Sequence, residues 1–146
     1  MEDAVRLLDS ADKAHLLDAV SHPDPKVRHY ACRLLDHHEL DADVAHRMVM
    51  AMSDPNRKVR NAALHTLGCE GCKPAGAENF PVDVIGLQVR SLRSDASLRV
   101  RRSAASSLMF QNPMEARVRR AFHRVLRDET DPELRAKAAR AVARRA

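Results

Sequence analysis

Residues 24–35 read Asp-Pro-Lys-Val-Arg-His-Tyr-Ala-Cys-Arg-Leu-Leu, and the pattern of this stretch returns three more times along the chain. One aliphatic residue aligns the four copies: Val27, Val59, Val100 and Leu134. An arginine follows it directly in every copy: Arg28, Arg60, Arg101 and Arg135. An alanine stands four residues after it and an aliphatic residue eight after it: Ala31 and Leu35, Ala63 and Leu67, Ala104 and Leu108, Ala138 and Val142. Apolar positions four apart lie on one side of an α-helix, so each copy is predicted to be a helix.

Polar residues that can cap a helix stand three positions before the aligned residue: Asp24, Asn56, Ser97 and Asp131. Such side chains accept hydrogen bonds from the free amides of a first helical turn. Pro25 and Pro132 follow two of these caps at the first helical position, where the missing N–H of proline costs nothing. The column of alanines predicts a close approach between neighbouring helices, because it places nothing larger than a methyl group at the contact.

The pattern Asp-Pro-x-Val-Arg-x-x-Ala-x-x-x-Leu, at spacings of 32, 41 and 34 residues, resembles the HEAT-repeat family and in particular its short bacterial members. The resemblance covers nearly the whole chain. It implies an all-α fold, a right-handed, armadillo-like α-solenoid of about four helix pairs, in which the second helix of each pair lines a concave surface. We expect a short N-terminal helix and a single domain over residues 1–146. The predicted repeats are 10–38, 41–68, 81–110 and 112–146, with a long loop at 68–80.

Local signals predict where several helices begin and end. Ser10 is a candidate cap for the first helix of the first repeat, and Asp41 for that of the second, over residues 42–53. Pro81 is expected to begin the first helix of the third repeat. Residues 112–115 carry the cap, proline and glutamate of a capping box before a helix from 113 to about 128. The first repeat helix is expected to run from Pro25 to about His38.

Composition favours a cytoplasmic protein. The chain has three cysteines, an odd count, and no apolar N-terminal run, which together are typical of a reducing compartment. It has no run of about 20 apolar residues of the kind that spans a membrane, so we expect no membrane partner. Residues 1–87 hold 10 Lys and Arg against 14 Asp and Glu, whereas residues 88–146 hold 15 against 6. The basic charge therefore lies in the C-terminal part of the chain.

A row of cationic and polar residues is expected on the concave surface that the resemblance implies. Its members are Lys26, His29, Arg33, Lys58, Asn61, His65, Arg99, Arg102, Ser106 and Arg140. The functional interpretation is a groove for an acidic peptide, an acidic protein surface or a phosphate backbone. The alternative is an ordinary solvated helix face. The arginines that follow the aligned residues are assigned to structure instead, paired with acids such as Asp54, Asp95 and Glu129.

Cys69 and Cys72 form the one constellation with the spacing of metal ligands. His65 lies four residues before Cys69, so both side chains can project from the same face at a helix end. The fourth ligand would be His37, which occupies the position of Cys69 in its own repeat, or Cys32. A zinc ion here would pin the long loop. The alternatives are a redox pair and plain loop cysteines, and apart from this possible structural zinc we expect no cofactor.

Enzymatic activity is not expected. Deoxyhypusine hydroxylases, which are HEAT-repeat enzymes, hold iron with several His-Glu pairs, and this chain has one, His38-Glu39. Alkylpurine DNA glycosylases resemble the chain in basic charge and helix pairing, but they use tryptophans that it lacks. Bilin lyases share the repeat pattern without a catalytic residue to carry over, which leaves a lyase-like or enzyme-assisting protein as the alternative. The predicted function is a protein- or peptide-binding scaffold, with nucleic-acid binding as the second hypothesis.

Overall fold

The computed structural model describes residues 5, 7–69, 72, 81–111 and 113–144, and this part of the chain is helical without any β-strand. Its helices are α1 (Lys13–Ala19), α2 (Pro25–Leu35), α3 (Ala42–Ala51), α4 (Arg57–Gly68), α5 (Val84–Ser94), α6 (Leu98–Gln111), α7 (Ala116–Asp128) and α8 (Pro132–Ala143). Val5, Leu7 and Leu8 before them are also helical. The predicted all-α repeat fold is confirmed. None of the helices described has the length and apolar character needed to cross a bilayer.

The chain divides into two compact units, Met1–Val82 and Asp83–Ala146. In the first unit, α1 packs on α2, α3 packs on α4, and α2 packs on α4. In the second unit, α5 packs on α6, α7 on α8, and α6 on α8. Each unit therefore contains two helix pairs, with the second helices of the pairs in contact. The single domain over residues 1–146 stays a prediction.

The repeated columns are the buried core. The four column alanines, Ala31, Ala63, Ala104 and Ala138, have no exposed surface. The aligned aliphatic residues are buried as well: Val27, Val59, Val100 and Leu134. Leu35, Leu67 and Leu108 follow them into the core, whereas Val142 is only half-buried because it lies in the last turn of α8. The burial of the alanines is thus established, and the close approach of helices at these positions stays a prediction.

Helix caps confirm most of the predicted starts of the repeat helices. Side-chain oxygens of three caps accept hydrogen bonds from backbone amides: Asp24 from Lys26, Asn56 from Lys58, and Asp131 from Leu134, over 2.8–2.9 Å. Pro25 and Pro132 occupy first helical positions. Asp41 caps α3 as predicted, although α3 ends at Ala51 instead of 53. The capping role of Ser97 stays a prediction.

Two helices begin later than predicted. α1 is capped by Asp12 instead of Ser10, because the Asp12 carboxylate accepts from the His15 amide at 3.0 Å. α5 begins at Val84 instead of Pro81, because Asp83 accepts from the Gly86 amide at 3.0 Å. In both cases a charged carboxylate, a stronger acceptor than a hydroxyl, lies closer to the helix than the predicted start.

The capping box predicted at residues 112–115 is wrong in its roles. Glu115 is itself the cap, since its carboxylate accepts from the Val118 amide at 3.2 Å, and α7 begins at Ala116 after a turn at Pro113 and Met114. Asn112 lies outside the described residues, as does most of the long loop predicted at 68–80. α2 is shorter than predicted, because the chain leaves the helix after Leu35 through a turn that ends at His38.

Candidate metal centre and cationic face

The arginine that follows each aligned residue binds the backbone of its own repeat. In all four copies its Nη1 donates to the carbonyl oxygen six residues upstream: Arg28 to His22, Arg60 to Asp54, Arg101 to Asp95, and Arg135 to Glu129, over 2.9–3.0 Å. This carbonyl lies in the connection before the repeat helix. The arginines therefore tie each connection to the first turn of the helix that follows it.

Two of these arginines also bind an acid of the following repeat. Arg28 makes a two-pronged contact with Asp54, with Nε to Oδ2 at 2.6 Å and Nη2 to Oδ1 at 3.0 Å. Arg101 contacts Glu129 at 3.2 Å. Asp54 and Glu129 both stand five residues before the next aligned position. The predicted structural role is confirmed for these two pairs.

A cationic face lies on α2 and α4, formed by Lys26, His29, Arg33 and Lys58. The two lysines and Arg33 are exposed, and within the described residues none of them makes an ion pair. His29 is half-buried, and its pKa is lowered by burial and further by the positive charges of Arg33 and Lys58. Charges on both helices therefore act on His29, and no described carboxylate forms an ion pair with Lys26, Arg33 or Lys58.

Asn61 and His65, which were also predicted on this face, differ from the lysines. The Asn61 side-chain oxygen is buried and accepts no hydrogen bond from the described residues, so it is not available to a partner at the surface. The His65 ring points its Nε2 at the Asp36 carboxylate, 3.1 Å away. The predicted row of cationic and polar residues therefore contains a buried amide and a histidine that contacts a carboxylate, as well as exposed cations.

In the second unit the predicted row is interrupted at Arg102. Its guanidinium binds Asp131, with Nε to Oδ1 at 3.0 Å, and Glu133 at 2.7 Å, so its charge is compensated within the unit. Ser106 donates its hydroxyl to the Arg102 carbonyl. Arg99 and Arg140 are exposed, and the Arg140 Nε donates to the Ala136 carbonyl. A partner would therefore have to compete with two acids for Arg102.

Sequence reasoning missed exposed arginines on α7. Arg120 and Arg124 are exposed and make no ion pair within the part of the chain that the structure describes. They lie on the first helix of a pair, whereas all ten predicted binding residues lie on second helices. The signal was present, since arginines three or four positions apart fall on one side of a helix.

Asp36, His65, Cys69 and Cys72 bring one ligand atom each to within 4.8 Å of one another. We call this group the four-residue cluster. The two sulfur atoms are 2.9 Å apart, the Cys72 sulfur is 3.6 Å from His65 Nε2, and this nitrogen is 3.1 Å from Asp36 Oδ2. Both cysteines are free thiols. Such a set of sulfur, nitrogen and oxygen donors is typical of a metal site.

The cluster lies where two packed helices end. Asp36 follows the last residue of α2, His65 is in the last turn of α4, and Cys69 follows the end of α4. The Asp36 side chain is 7% exposed and that of His65 is 57% exposed, so the cluster has a buried side and an open side. Its position allows solvent species to reach it.

Neighbouring acidic groups in the cluster shift the pKa of Cys72. Hydrogen bonding to Cys69 and to the Asp36 carboxylate raises the pKa of Cys72 to about 12. Cys32 is different, since burial in the core raises its pKa to about 12 and it has no exposed surface. Cys32 is therefore a core residue and is absent from the four-residue cluster.

Three of the four predicted metal ligands, His65, Cys69 and Cys72, come together. Asp36 is the fourth member of the cluster, whereas His37 was predicted there. The reason is the early end of α2, which leaves Asp36 at the buried helix end and His37 exposed in the turn. The type and position of Asp36 in the sequence already indicated that it has a partner. An acidic residue at a helix C-terminus is disfavoured by the helix dipole, so it needs a cationic or hydrogen-bonding partner there.

Comparison with known proteins finds HEAT repeats in part of the chain. The model of HEAT repeats matches residues 14–77, which span α2, α3, α4 and nearly all of α1. Comparison with curated proteins gives no significant match. The aligned aliphatic residue, arginine and alanine of the matched stretch recur in α6 and α8 of the second unit. Residues 14–77 therefore match HEAT repeats, and the second unit carries the same repeated residues.

Proposed function

We propose that the protein is a non-catalytic interaction module of the cytoplasm that binds an acidic peptide or acidic protein surface through the cationic face. Proteins built from HEAT repeats generally serve as scaffolds for protein interactions. The family does not specify the partner, so the chemistry of the face has to do so.

The uncompensated charge of Lys26, Arg33 and Lys58 is the observation that carries the proposal. Arg102 and Arg117 have carboxylate partners within the second unit. Lys26, Arg33 and Lys58 have no ion-pair partner among the described residues, and the charges of Arg33 and Lys58 lower the pKa of His29. Carboxylates of a partner would supply negative charges that pair with these cations. Electrostatic complementarity of this kind sets partner choice and association rate.

The proposal is tested by binding measurements with a panel of short fluorescent peptides rich in Glu and Asp. The variant carrying Lys26→Glu, Arg33→Glu and Lys58→Glu should bind the best peptide at least about tenfold more weakly. A matched control carries Arg90→Glu, Arg120→Glu and Arg124→Glu, which makes the same change in net charge on exposed positions of α5 and α7. If both variants lose affinity equally, the total charge and not the cationic face attracts the peptide.

Nucleic-acid binding is the second candidate, and the charge of the second unit favours it. Residues 83–146 hold 15 Lys and Arg against 7 Asp and Glu, and Arg120 and Arg124 are exposed without ion pairs among the described residues. Electrophoretic mobility shifts with DNA and RNA at several salt concentrations test this hypothesis, because the affinity of a protein that contacts phosphates falls steeply as the salt concentration rises. A shift that the α5 and α7 control variant abolishes, together with weak peptide binding, would favour the second candidate.

A further inference from the structure

We propose that Asp36, His65, Cys69 and Cys72 form a tetrahedral zinc site that joins the C-terminal ends of α2 and α4. The proposal concerns the four-residue cluster alone and does not depend on the partner of the cationic face. In this site zinc is a structural ion, held by four protein ligands with no open position for catalysis.

The spacing of the ligand atoms fits a tetrahedral ion. Zinc bonds are about 2.0–2.3 Å long, so neighbouring ligand atoms around a tetrahedron lie roughly 3.3–3.8 Å apart. The separation of 3.6 Å falls within this range, those of 2.9 and 3.1 Å lie slightly below it, and all pairs fall within 4.8 Å. Small side-chain rotations therefore suffice to close the four groups around an ion.

The donor types select the metal. Two thiolates and an imidazole are soft or borderline ligands, which calcium and magnesium do not favour. A tetrahedral set of sulfur and nitrogen ligands with one carboxylate is typical of zinc. Zinc would bind the cysteines as thiolates and displace their thiol protons to solvent. His65 coordinates through Nε2, the atom already directed at Asp36 and Cys72.

The surrounding helices also favour a cation at this place. Asp36 and Cys69 directly follow the last residues of α2 and α4, and helix C-termini carry partial negative charge. A buried hydrogen bond from the Thr66 hydroxyl to the Cys32 carbonyl, 2.8 Å long, fixes α4 against α2 directly beside the cluster. Both helices are thus held in position before any ion binds, which lowers the cost of assembling the site.

The first experiment measures zinc in the full-length protein. Protein is stripped with chelator in the presence of reductant, and native mass spectrometry follows the addition of zinc. We expect a single zinc ion per chain and a melting temperature that rises by roughly 10 °C when free zinc is a hundredfold above its Kd. Cobalt provides a second readout, since tetrahedral thiolate coordination gives intense visible and charge-transfer absorption. Reduced protein that takes up neither metal overturns the proposal.

Matched variants identify the ligands. Cys69→Ser and Cys72→Ser should each weaken zinc binding more than about 100-fold, beyond what loss of an outer-shell partner causes. Asp36→Asn should weaken it at least about tenfold, whereas His37→Gln, one residue away and exposed, should leave it unchanged. Helical circular dichroism of the metal-free variants verifies that each one folds. Loss of zinc with His37→Gln and retention with Asp36→Asn would overturn this ligand set.

A redox pair predicts a different result for the same thiols. If Cys69 and Cys72 act as a dithiol couple, mild oxidant forms a disulfide between them that stays in place when zinc is present. A zinc site predicts the reverse, because bound zinc protects both thiolates from oxidation and from alkylation. Zinc that fails to protect them overturns the proposal. The Asp36→Asn variant sharpens the comparison, since the loss of charge weakens zinc binding and its protection of the thiolates but leaves the two sulfurs intact.

Discussion

Removing the charge of Asp54 tests whether the repeat arginines hold the fold together. The Asp54→Asn substitution keeps the size of the side chain and its acceptor for the Asn56 amide, which lies 2.8 Å away. The substitution removes the carboxylate that Arg28 binds. Both partners are largely buried, with 14% of the Arg28 side chain and 9% of the Asp54 side chain exposed. Deleting one member of a buried ion pair costs about 3–5 kcal/mol. Arg28 keeps its bonds to the His22 and Pro23 carbonyls, so we expect the free energy of unfolding to fall by about 2–3 kcal/mol.

The assay is urea unfolding of the wild type and variants, followed by far-ultraviolet circular dichroism. Arg127 and Asp128 provide a matched control, because they also form a two-pronged pair, with contacts of 2.8 and 2.9 Å, but on an exposed surface. Asp128→Asn should change the midpoint by no more than the error of the measurement, since exposed pairs contribute little. A double-mutant cycle with Arg28→Gln should give a coupling energy of about 1–3 kcal/mol between positions 28 and 54.

The reasoning is refuted if Asp54→Asn is no more destabilising than Asp128→Asn. It is also refuted if the Arg28 and Asp54 substitutions add without coupling, because the cost would then come from each residue separately. In that case the arginine column would act only through the upstream carbonyls.

Three further predictions concern the same helices. Ala138→Leu should lower the free energy of unfolding by about 1–3 kcal/mol through overpacking, whereas Ala139→Leu on the exposed side of α8 should be nearly neutral in the same urea titration. Thr66→Val should cost about 1 kcal/mol through loss of its buried bond to the Cys32 carbonyl, measured by thermal unfolding. Burial raises the pKa of Asp54, but hydrogen bonds from Arg28 and the Asn56 amide outweigh it and the net pKa is lowered. Its stabilising effect is therefore complete above about pH 4 and lost as pH falls through the lowered value, so Asp54→Asn should weaken the acid dependence of the urea midpoint.

Sequence periodicity predicted the repeat helices because local rules act without competition there. Asp24 and Pro25 specify a helix start by capping and by a fixed backbone angle, and Val27, Ala31 and Leu35 specify the buried side. The starts of α1, α5 and α7 were less well predicted, since several polar residues compete to cap those helices. Carboxylates cap all three helices: Asp12, Asp83 and Glu115.

The site was predicted only in part because its geometry is set between repeats. His65, Cys69 and Cys72 are close in sequence, and spacing alone brought them together. Asp36 comes from the preceding repeat, and its position depends on where α2 ends and how α4 packs on α2. The compensation of Arg102 by Asp131 and Glu133 likewise joins two repeats, which a search within one helix does not find.

The first repeat shows why the arginine column belongs to the fold. Asp54 and Glu129, five residues before their aligned positions, bind an arginine of the preceding copy and also accept amides of their own connection. The same position of the first copy is His22, five residues before Val27. Its ring Nδ1 accepts the Asp24 amide at 3.0 Å, so the local bond does not need a carboxylate. The carboxylates of Asp54 and Glu129 add the contact with an arginine, which is what links one copy to the next. Lys26, Arg33 and Lys58, which have no such acid among the described residues, lie outside this structural scheme.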